Sequence, residues 1–216
     1  MKVGLILDLD GVICDTAHYH FLAWKELAKS YGIELTEAHN EELKGVSRVD
    51  SLKYILSLGD ITLSDEQFQR DLTSKNDHYL QFVMEMGPQH LLPGVPHFFE
   101  QVTRYNLPIA LGSASKNAQL VLERVGLDKQ FTAIVDANAV IKGKPDPETF
   151  LKGAEMLKIA PELCWVFEDS AAGIAAAING GMKAVGIGTP EQLPAANYHF
   201  SNLGEFDFNL LKSGRN

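Results

Sequence analysis

The chain has 216 residues, 45% of them hydrophobic, which suits one globular domain or a core with an insertion and excludes a disordered chain. Its formal net charge of -9 offers no basic surface for phosphate backbones, so nucleic acid is excluded as a partner, whereas a small anion held by local groups is not. No stretch approaches the roughly 18 apolar residues of a membrane span, and Asp8 interrupts the first apolar run too early for a signal-peptide core, so a soluble cytoplasmic protein without membrane contact is expected.

The first element, "VGLIL" over 3–7, has the length of a buried strand and runs into "DLDGVICDT", where Asp8, Asp10 and Asp15 crowd together. Residues 17–86 then carry successive helical patterns and no convincing strand. In "HYHFLAWKELAKSYG", Phe21, Trp24, Leu27, Ala28 and Tyr31 fall near one face and Gly32 ends the segment. "VDSLKYILSL" and "SDEQFQRDLTSKNDHYLQFVMEM" also read as helices. An all-helical insertion is therefore expected after the first strand, with the chain returning near "GPQHLLPGV" and with hinges near Asp15–Thr16 and Pro88–Pro93. Four more short apolar runs follow, at 108–113, 132–136, 163–167 and 183–188. They alternate with helical patterns such as "NAQLVLERVG", closed by Gly126, and "SAAGIAAAINGG", opened by Ser170 as N-cap. Such alternation predicts an α/β fold with a Rossmann-like parallel sheet. The expected division is a core of 1–15 and 92–216 and an inserted helical cap of 16–91. The two cysteines, Cys14 and Cys164, sit beside apolar runs without metal-ligand spacing and read as buried free thiols.

Ligands of open α/β sheets bind beyond the carboxyl ends of the strands. There the chain places Asp8 and Asp10, then Ser113, then Glu168 and Asp169, while Lys144 in "KGKPDPE" precedes the helix leading to the last of these strands. Four carboxylates converging without a cation would repel and raise their own pKa values, so a bound hard divalent ion is inferred, with magnesium the best fit because it takes oxygen ligands and shares them with phosphate. Ser113 and Lys144 would supply the hydroxyl and ammonium contacts of a phosphoryl group. Singly, each piece has an ordinary reading: an Asp-x-Asp turn, dipole compensation before a helix, a lysine in a loop. Their joint occurrence at strand ends points to chemistry.

"DLDGV", "SAS", "KGKPDP" and "EDSAAG" resemble the motifs of the haloacid dehalogenase superfamily over nearly the whole chain, and "LKGVSR", "KND" and "SASKN" are similar to its β-phosphoglucomutase branch. The resemblance implies that Asp8 is a nucleophile that becomes an aspartyl phosphate and Asp10 the general acid and base. It implies one magnesium ion per chain, held by Asp8, the backbone carbonyl of Asp10, Glu168 and Asp169. Ser113, the Ala114 amide and Lys144 would orient the transferring group, with Ser115 and Asn117 beside them. The cap would supply specificity through Lys44, Gly45, Val46, Ser47 and Arg48 of "LKGVSR", the Arg48 fork matching a second phosphate. Without the resemblance, Lys44 and Arg48 read as solvated charges, Trp24, Leu43 and Val46 as core, and His20 as an exposed helix residue. With it, Trp24, Leu43 and Val46 border the pocket, His20 approaches Asp10 on closure, Ser51, Lys75 and Asn76 face the site, and Thr16 is the pivot. Gly112 stands where relatives often carry alanine, a change expected to loosen the phosphate loop.

The implied reaction interconverts β-D-glucose 1-phosphate and glucose 6-phosphate through a sugar 1,6-bisphosphate that also serves as primer. The expected partner is a small hexose phosphate, and nothing demands more than a monomer. The rival within the same chemistry is a sugar-phosphate phosphatase, since admission of water would hydrolyse an aspartyl phosphate. A non-catalytic binding module on this fold is disfavoured by the complete set Asp8, Asp10, Ser113, Lys144, Glu168 and Asp169.

Overall fold

In a computed structural model, residues 2–213 are described; Met1 and 214–216, at the ends of the expected core, lie outside them. Strand β1 (Gly4–Leu7) is followed by helices α1 (Thr16–Ser30), α2 (Glu37–Leu43), α3 (Arg48–Ser57) and α4 (Asp65–Met84). Then come α5 (Val95–Arg104), β2 (Ile109–Gly112), α6 (Ala118–Val125), β3 (Ala133–Val135), α7 (Glu148–Leu157), β4 (Cys164–Glu168) and α8 (Ala171–Asn179). The chain closes with β5 (Lys183–Ile187), β6 (Tyr198–Phe200) and α9 (Leu210–Ser213). The strands form one six-stranded parallel sheet in the order β3-β2-β1-β4-β5-β6, with β1 registered between β2 and β4. The reversal of strand order beside β1 makes the carboxyl ends of β1 and its neighbours the natural binding crevice.

Side-chain alternation explains the layers. Leu5 and Leu7 of β1 and Trp165 and Phe167 of β4 join one apolar cluster with Phe98 and Phe99 of α5 and Val121 and Leu122 of α6. Ile6, Cys164 and Val166 face the other way, into a cluster with Phe150 and Ala154 of α7 and Ile174 and Ala177 of α8. A sheet buried on both faces needs apolar residues at every position, which is why its strands read as continuous runs.

Helices α1 to α4 hold a third cluster, formed by Phe21, Trp24, Ala28, Leu35, Leu43, Leu52, Ile55, Leu56 and Leu72. Helix α4 bridges the layers: Leu72 belongs to this cluster, whereas Tyr79 and Val83 join the sheet's. The two chain crossings lie side by side, since Leu92 N donates to Ile13 O at 2.9 Å and Cys14 bridges Leu91 antiparallel. The helix signals act as anticipated: Gly126 ends α6 at φ 77°, and the Ser170 hydroxyl accepts from Gly173 N at 3.0 Å. Both thiols are free and buried, and burial pushes Cys14 up to about 12 and Cys164 up to about 11, which makes them inert.

Helix α2 and strand β6 are among the elements that escape the sequence reading. Helix α2 carries a single buried apolar residue, Leu43, so it shows no period and rests on the Thr36 and His39 capping pair. Strand β6 is short, half-buried and at the sheet edge, so its "YHF" lacks an apolar run.

Phe206 ties the end of the chain to the sheet, with ring centroids 4.9 Å from Phe167, 5.1 Å from Phe208 and 5.5 Å from Phe200. Phe206→Ala is expected to lower unfolding free energy by about 3–5 kcal/mol, the cost of a large buried ring and its cavity. A urea midpoint unchanged from wild type would refute this.

Candidate active site

Asp8 follows β1 directly, and its N–H donates to Phe167 O at 3.0 Å, so the sheet fixes its backbone. The chain then turns at Gly11, φ 80°, where an added Cβ would lie 2.1 Å from Asp169 Oδ2. Across the crevice, a Cβ on Gly173 would lie 1.9 Å from the Glu168 carboxyl. Each glycine is thus required by the close approach of a carboxylate. Glu168 Oε2 accepts from Ser170 N at 2.9 Å and from Ser170 Oγ at 2.8 Å, so the first turn of α8 holds it.

Asp8, Glu168 and Asp169 each offer an oxygen, all within 4.8 Å of one another. Lys144 Nζ donates to Asp8 Oδ1 at 2.6 Å and to Glu168 Oε1, and its side chain is fully buried. Burial alone would lower this ammonium's pKa, but Asp8 and Glu168 outweigh it and hold the pKa up. Lys144 compensates only part of the carboxylate charge. Burial, followed by repulsion from Glu168 and Asp10 against the pull of Lys144, raises Asp8 to about 8. Asp169 is raised well above its ordinary value by burial, then by Glu168 and Asp8. A compact, all-oxygen, under-compensated carboxylate set is what a hard divalent cation requires, so these residues fit magnesium.

Ser113, at the end of β2, is fully buried, and its Oγ accepts from Ser115 N at 3.0 Å, which leaves the hydroxyl proton free for a ligand. The expected slackness at Gly112 is not found, because Phe150 fills the space: an added Cβ would meet its ring at 2.8 Å. The same ring lies 4.8 Å below the Lys144 ammonium.

The helical layer covers this crevice. Asp10 accepts a hydrogen bond from the Thr16 hydroxyl, and burial raises its pKa despite that bond. His20 Nε2 lies 3.8 Å from Asp10 Oδ1, while Nδ1 lies 2.6 Å from Lys75 Nζ. An ammonium only donates, so with Lys75 charged Nδ1 accepts and the ring proton faces Asp10. Burial, then Lys75 and Arg48, hold His20 well below its ordinary pKa. Lys75 is brought down to about 7 by burial and then by Arg48.

Of the residues named from sequence, Asp8, Asp10, His20, Trp24, Leu43, Lys44, Gly45, Val46, Arg48, Ser51, Lys75, Ala114, Ser115 and Asp169 line one cavity. Ser113, Lys144 and Glu168 lie against it without lining it. Thr16 reaches it through Asp10. Asn76 and Asn117 meet each other instead, Asn117 Nδ2 donating to Asn76 Oδ1 at 2.8 Å and joining α4 to the phosphate loop. Ser47 is not among the cavity's lining residues; its hydroxyl caps α3, accepting from Asp50 N at 3.2 Å and donating to Asp50 Oδ2 at 2.6 Å. Sequence reasoning missed Ala17, Phe21, Asn40 and Lys116 as lining residues. It also missed Tyr79, which stacks on His20 at 3.9 Å and whose buried hydroxyl makes no formed hydrogen bond beside Ser115. Its one signal was the i, i+4 spacing from Lys75.

Residues 3–181 match the haloacid dehalogenase-like hydrolase family. The chain is 40% identical over 210 residues to a β-phosphoglucomutase of Bacillus subtilis, covering 96% of this chain and 93% of that protein. It is 31% identical over 184 residues to a phosphorylated carbohydrates phosphatase of Thermotoga maritima, covering 84% and 83%. A crystal structure of β-phosphoglucomutase from Clostridium difficile superposes with a TM-score of 0.94 at 39% identity, covering 99% of this chain and 96% of that one.

A carboxyl raised from about 4 in the unfolded chain to about 8 binds an extra proton on folding, so metal-free stability falls as pH rises across that window. Magnesium needs the deprotonated form. At a hundredfold excess over its Kd it should stabilise by about 2.7 kcal/mol, roughly 5–10 °C in melting temperature at pH 8, with a smaller shift at pH 5. Thermal unfolding with and without magnesium checks this; equal shifts at both values would contradict it.

Proposed function

The chain belongs to the haloacid dehalogenase-like hydrolase family, and from that premise we propose that it is a magnesium-dependent β-phosphoglucomutase interconverting β-D-glucose 1-phosphate and glucose 6-phosphate. One observation carries the reading furthest. Arg48, half-buried and in no ion pair with a carboxylate among the described residues, lines the same cavity as Asp8 and Asp10. Arg48 within the cavity, with Ser113 and Lys144 lying against it beside Asp8, would suit a sugar with phosphate at either end.

In the proposed cycle, the free hydroxyl of β-glucose 1-phosphate attacks phosphorylated Asp8. The new P–O bond forms at the sugar, the bond to Asp8 breaks, and Asp10 takes the hydroxyl proton. The bisphosphate turns end for end, with Arg48 holding whichever phosphate is not reacting. Asp8 then attacks the phosphorus at the anomeric position, and Asp10 returns the proton to the departing sugar oxygen. This releases glucose 6-phosphate and restores phosphorylated Asp8. Asp10 suits both roles because burial raises its pKa while the Thr16 hydroxyl orients it. Asp8, the Asp10 backbone carbonyl, Glu168 and Asp169 would hold the magnesium ion, which when bound neutralises charge on the transferring oxygens. Ser113 and Lys144 bind those oxygens from the protein side.

Lid-to-core contacts are consistent with exclusion of water. Lys44 Nζ stands 3.8 Å from Asp169, and an added Cβ on Gly45 would lie 2.5 Å from Ser170 Oγ. The phosphatase reading keeps specific support from phosphatase relatives, the Thermotoga protein among them. The two separate on product: purified protein with magnesium and a bisphosphate primer is expected to form glucose 6-phosphate faster than free phosphate, and dominant phosphate release would favour the phosphatase.

Asp8→Asn is expected to lower both outcomes by at least about a thousandfold, and retained turnover would remove its assignment as nucleophile. Arg48→Ala should weaken use of the bisphosphate by roughly ten- to a hundredfold, the worth of a charge-assisted pair, while changing hydrolysis of a small activated phosphate ester little. Equal losses on both substrates would deny Arg48 its role in the second pole.

A further inference from the structure

Glu148 opens helix α7 and lines no part of the cavity, yet it is among the most heavily bonded carboxylates of the protein. Its two oxygens each lie 3.1 Å from Ile141 N, Oε2 lies 2.8 Å from Lys142 N, and Oε1 lies 3.0 Å from Lys152 Nζ. An acidic residue in the first turn of a helix ordinarily serves that helix's own N–H groups and dipole. Here that task falls to Asp146, whose Oδ1 accepts from Glu148 N at 3.0 Å, and the Glu148 carboxylate turns back onto the preceding loop.

The loop closed in this way carries Lys144. On its far side Lys144 is followed by Pro145, Asp146 and Pro147 and then by α7. On its near side, besides Glu148, the loop is held by Asp146 N donating to Gly143 O at 3.0 Å, by Lys142 Nζ 3.5 Å from Asp146 Oδ2, and by Lys152 Nζ donating to Ala139 O. Ile141 is 93% exposed and gains nothing from burial, and Lys142 is exposed as well. Gly143 comes next and abuts the lid, since an added Cβ would stand 3.5 Å from Ser47 Cβ. The same first turn of α7 carries Phe150, whose ring lies beneath the Lys144 ammonium.

We propose that Glu148 is a positioning residue for Lys144: by accepting the N–H groups of Ile141 and Lys142 it closes the 141–148 loop and fixes where the ammonium meets Asp8 and the transferring phosphoryl group. This rests on the role given above to Lys144. The strength of the clamp agrees with the Glu148 carboxyl, which the backbone N–H groups of Lys142 and Ile141, then Lys152, hold down to about 2. The clamp is therefore charged throughout the working pH range. It matters most when Asp8 is phosphorylated, because Lys144 then loses one of its two carboxylate partners, and Glu168 and the loop are left to keep it in place.

The test follows Glu148→Ala and Glu148→Gln in the full chain by three readouts. Hydrogen exchange at the Ile141 and Lys142 amides should quicken by at least about tenfold in the alanine variant while the interior of α7 stays protected. The 15N signal of the Lys144 ammonium, sharp in the wild type because the group is buried and paired, should broaden or vanish. The kcat for β-glucose 1-phosphate should fall by about ten- to a hundredfold, the scale for a displaced catalytic group, with KM within about twofold. Glu148→Gln, which keeps one oxygen for both N–H groups, should recover most of each signal, and Lys152→Ala should stay within about twofold of wild type. Unchanged amide exchange or an unchanged Lys144 signal in Glu148→Ala overturns the proposal, as do equal losses in the alanine and glutamine variants. If the wild type itself turned over no hexose phosphate, the mutase reading would fall and the two spectroscopic readouts would still decide the clamp.

Discussion

The arrangement of the whole core follows from one electrostatic constraint: three carboxylates and one ammonium share a nearly dry space at the end of β1. Asp8, Glu168 and Lys144 are each buried, and Lys144 bonds both acids. Removing ions from water costs several kcal/mol each, which a single contact does not recover, so every member needs fixed partners. The protein provides them from backbone and helix ends: Ser170 N and Oγ on Glu168, Phe167 O for the Asp8 N–H, and the Phe150 ring under Lys144. A residual excess of negative charge remains. That excess makes the site attractive to a divalent cation and costly without one.

Packing makes this precision possible. Because the sheet is buried on both faces, its strand ends are fixed in register, and residues more than 130 positions apart in sequence meet reproducibly at the β1, β2 and β4 ends, as the separation of 136 between Lys144 and Asp8 shows. Glycine completes the fit at two points where no side chain could stand, Gly11 against Asp169 and Gly173 against Glu168. The aromatic cluster around Phe98, Phe167 and Phe206 supports the sheet from the side opposite α7 and α8.

Much of this was legible in the sequence, and the parts that were not share a physical cause. Strand β1 and the site residues after it could be read because burial on two faces demands an apolar run and function demands carboxylates at its end. The convergence of Asp8, Ser113, Lys144, Glu168 and Asp169 followed from the rule that parallel strands present their carboxyl ends together. What a one-dimensional pattern does not encode is the rotation of each inserted helix. Arg48 and Ser47 are adjacent, yet one lines the cavity and the other caps its own helix. Tyr79 lies in a segment legible only as a helix, with nothing to mark its stacking on His20, and Asn40 belongs to a helix with too few apolar residues to show a period. Gly112 reads as a loosened loop until Phe150 is seen to occupy the space.

The same contrast between core and lid bears on how such a site could reject water yet release a product. The core contacts are short, buried and charged, whereas the contacts across the lid are individually modest. Lys44 and Asp169 are 3.8 Å apart, with Lys44 also paired to the exposed Glu41, and Asn76 and Asn117 share one neutral hydrogen bond. Partly exposed pairs of this kind contribute about 0–1 kcal/mol each, and a neutral hydrogen bond about 1 kcal/mol, so these polar contacts add little to the apolar packing of Tyr79 and Val83 against the core. In the proposed cycle, a substrate with phosphates at both poles would add contacts to Arg48 on the lid and to Ser113 and Lys144 on the core at once, which a small monophosphate would not. On the proposed reading, closure is therefore driven by the bisphosphate itself. The balance between sugar and water as acceptor then depends on how long the lid stays shut with a sugar inside.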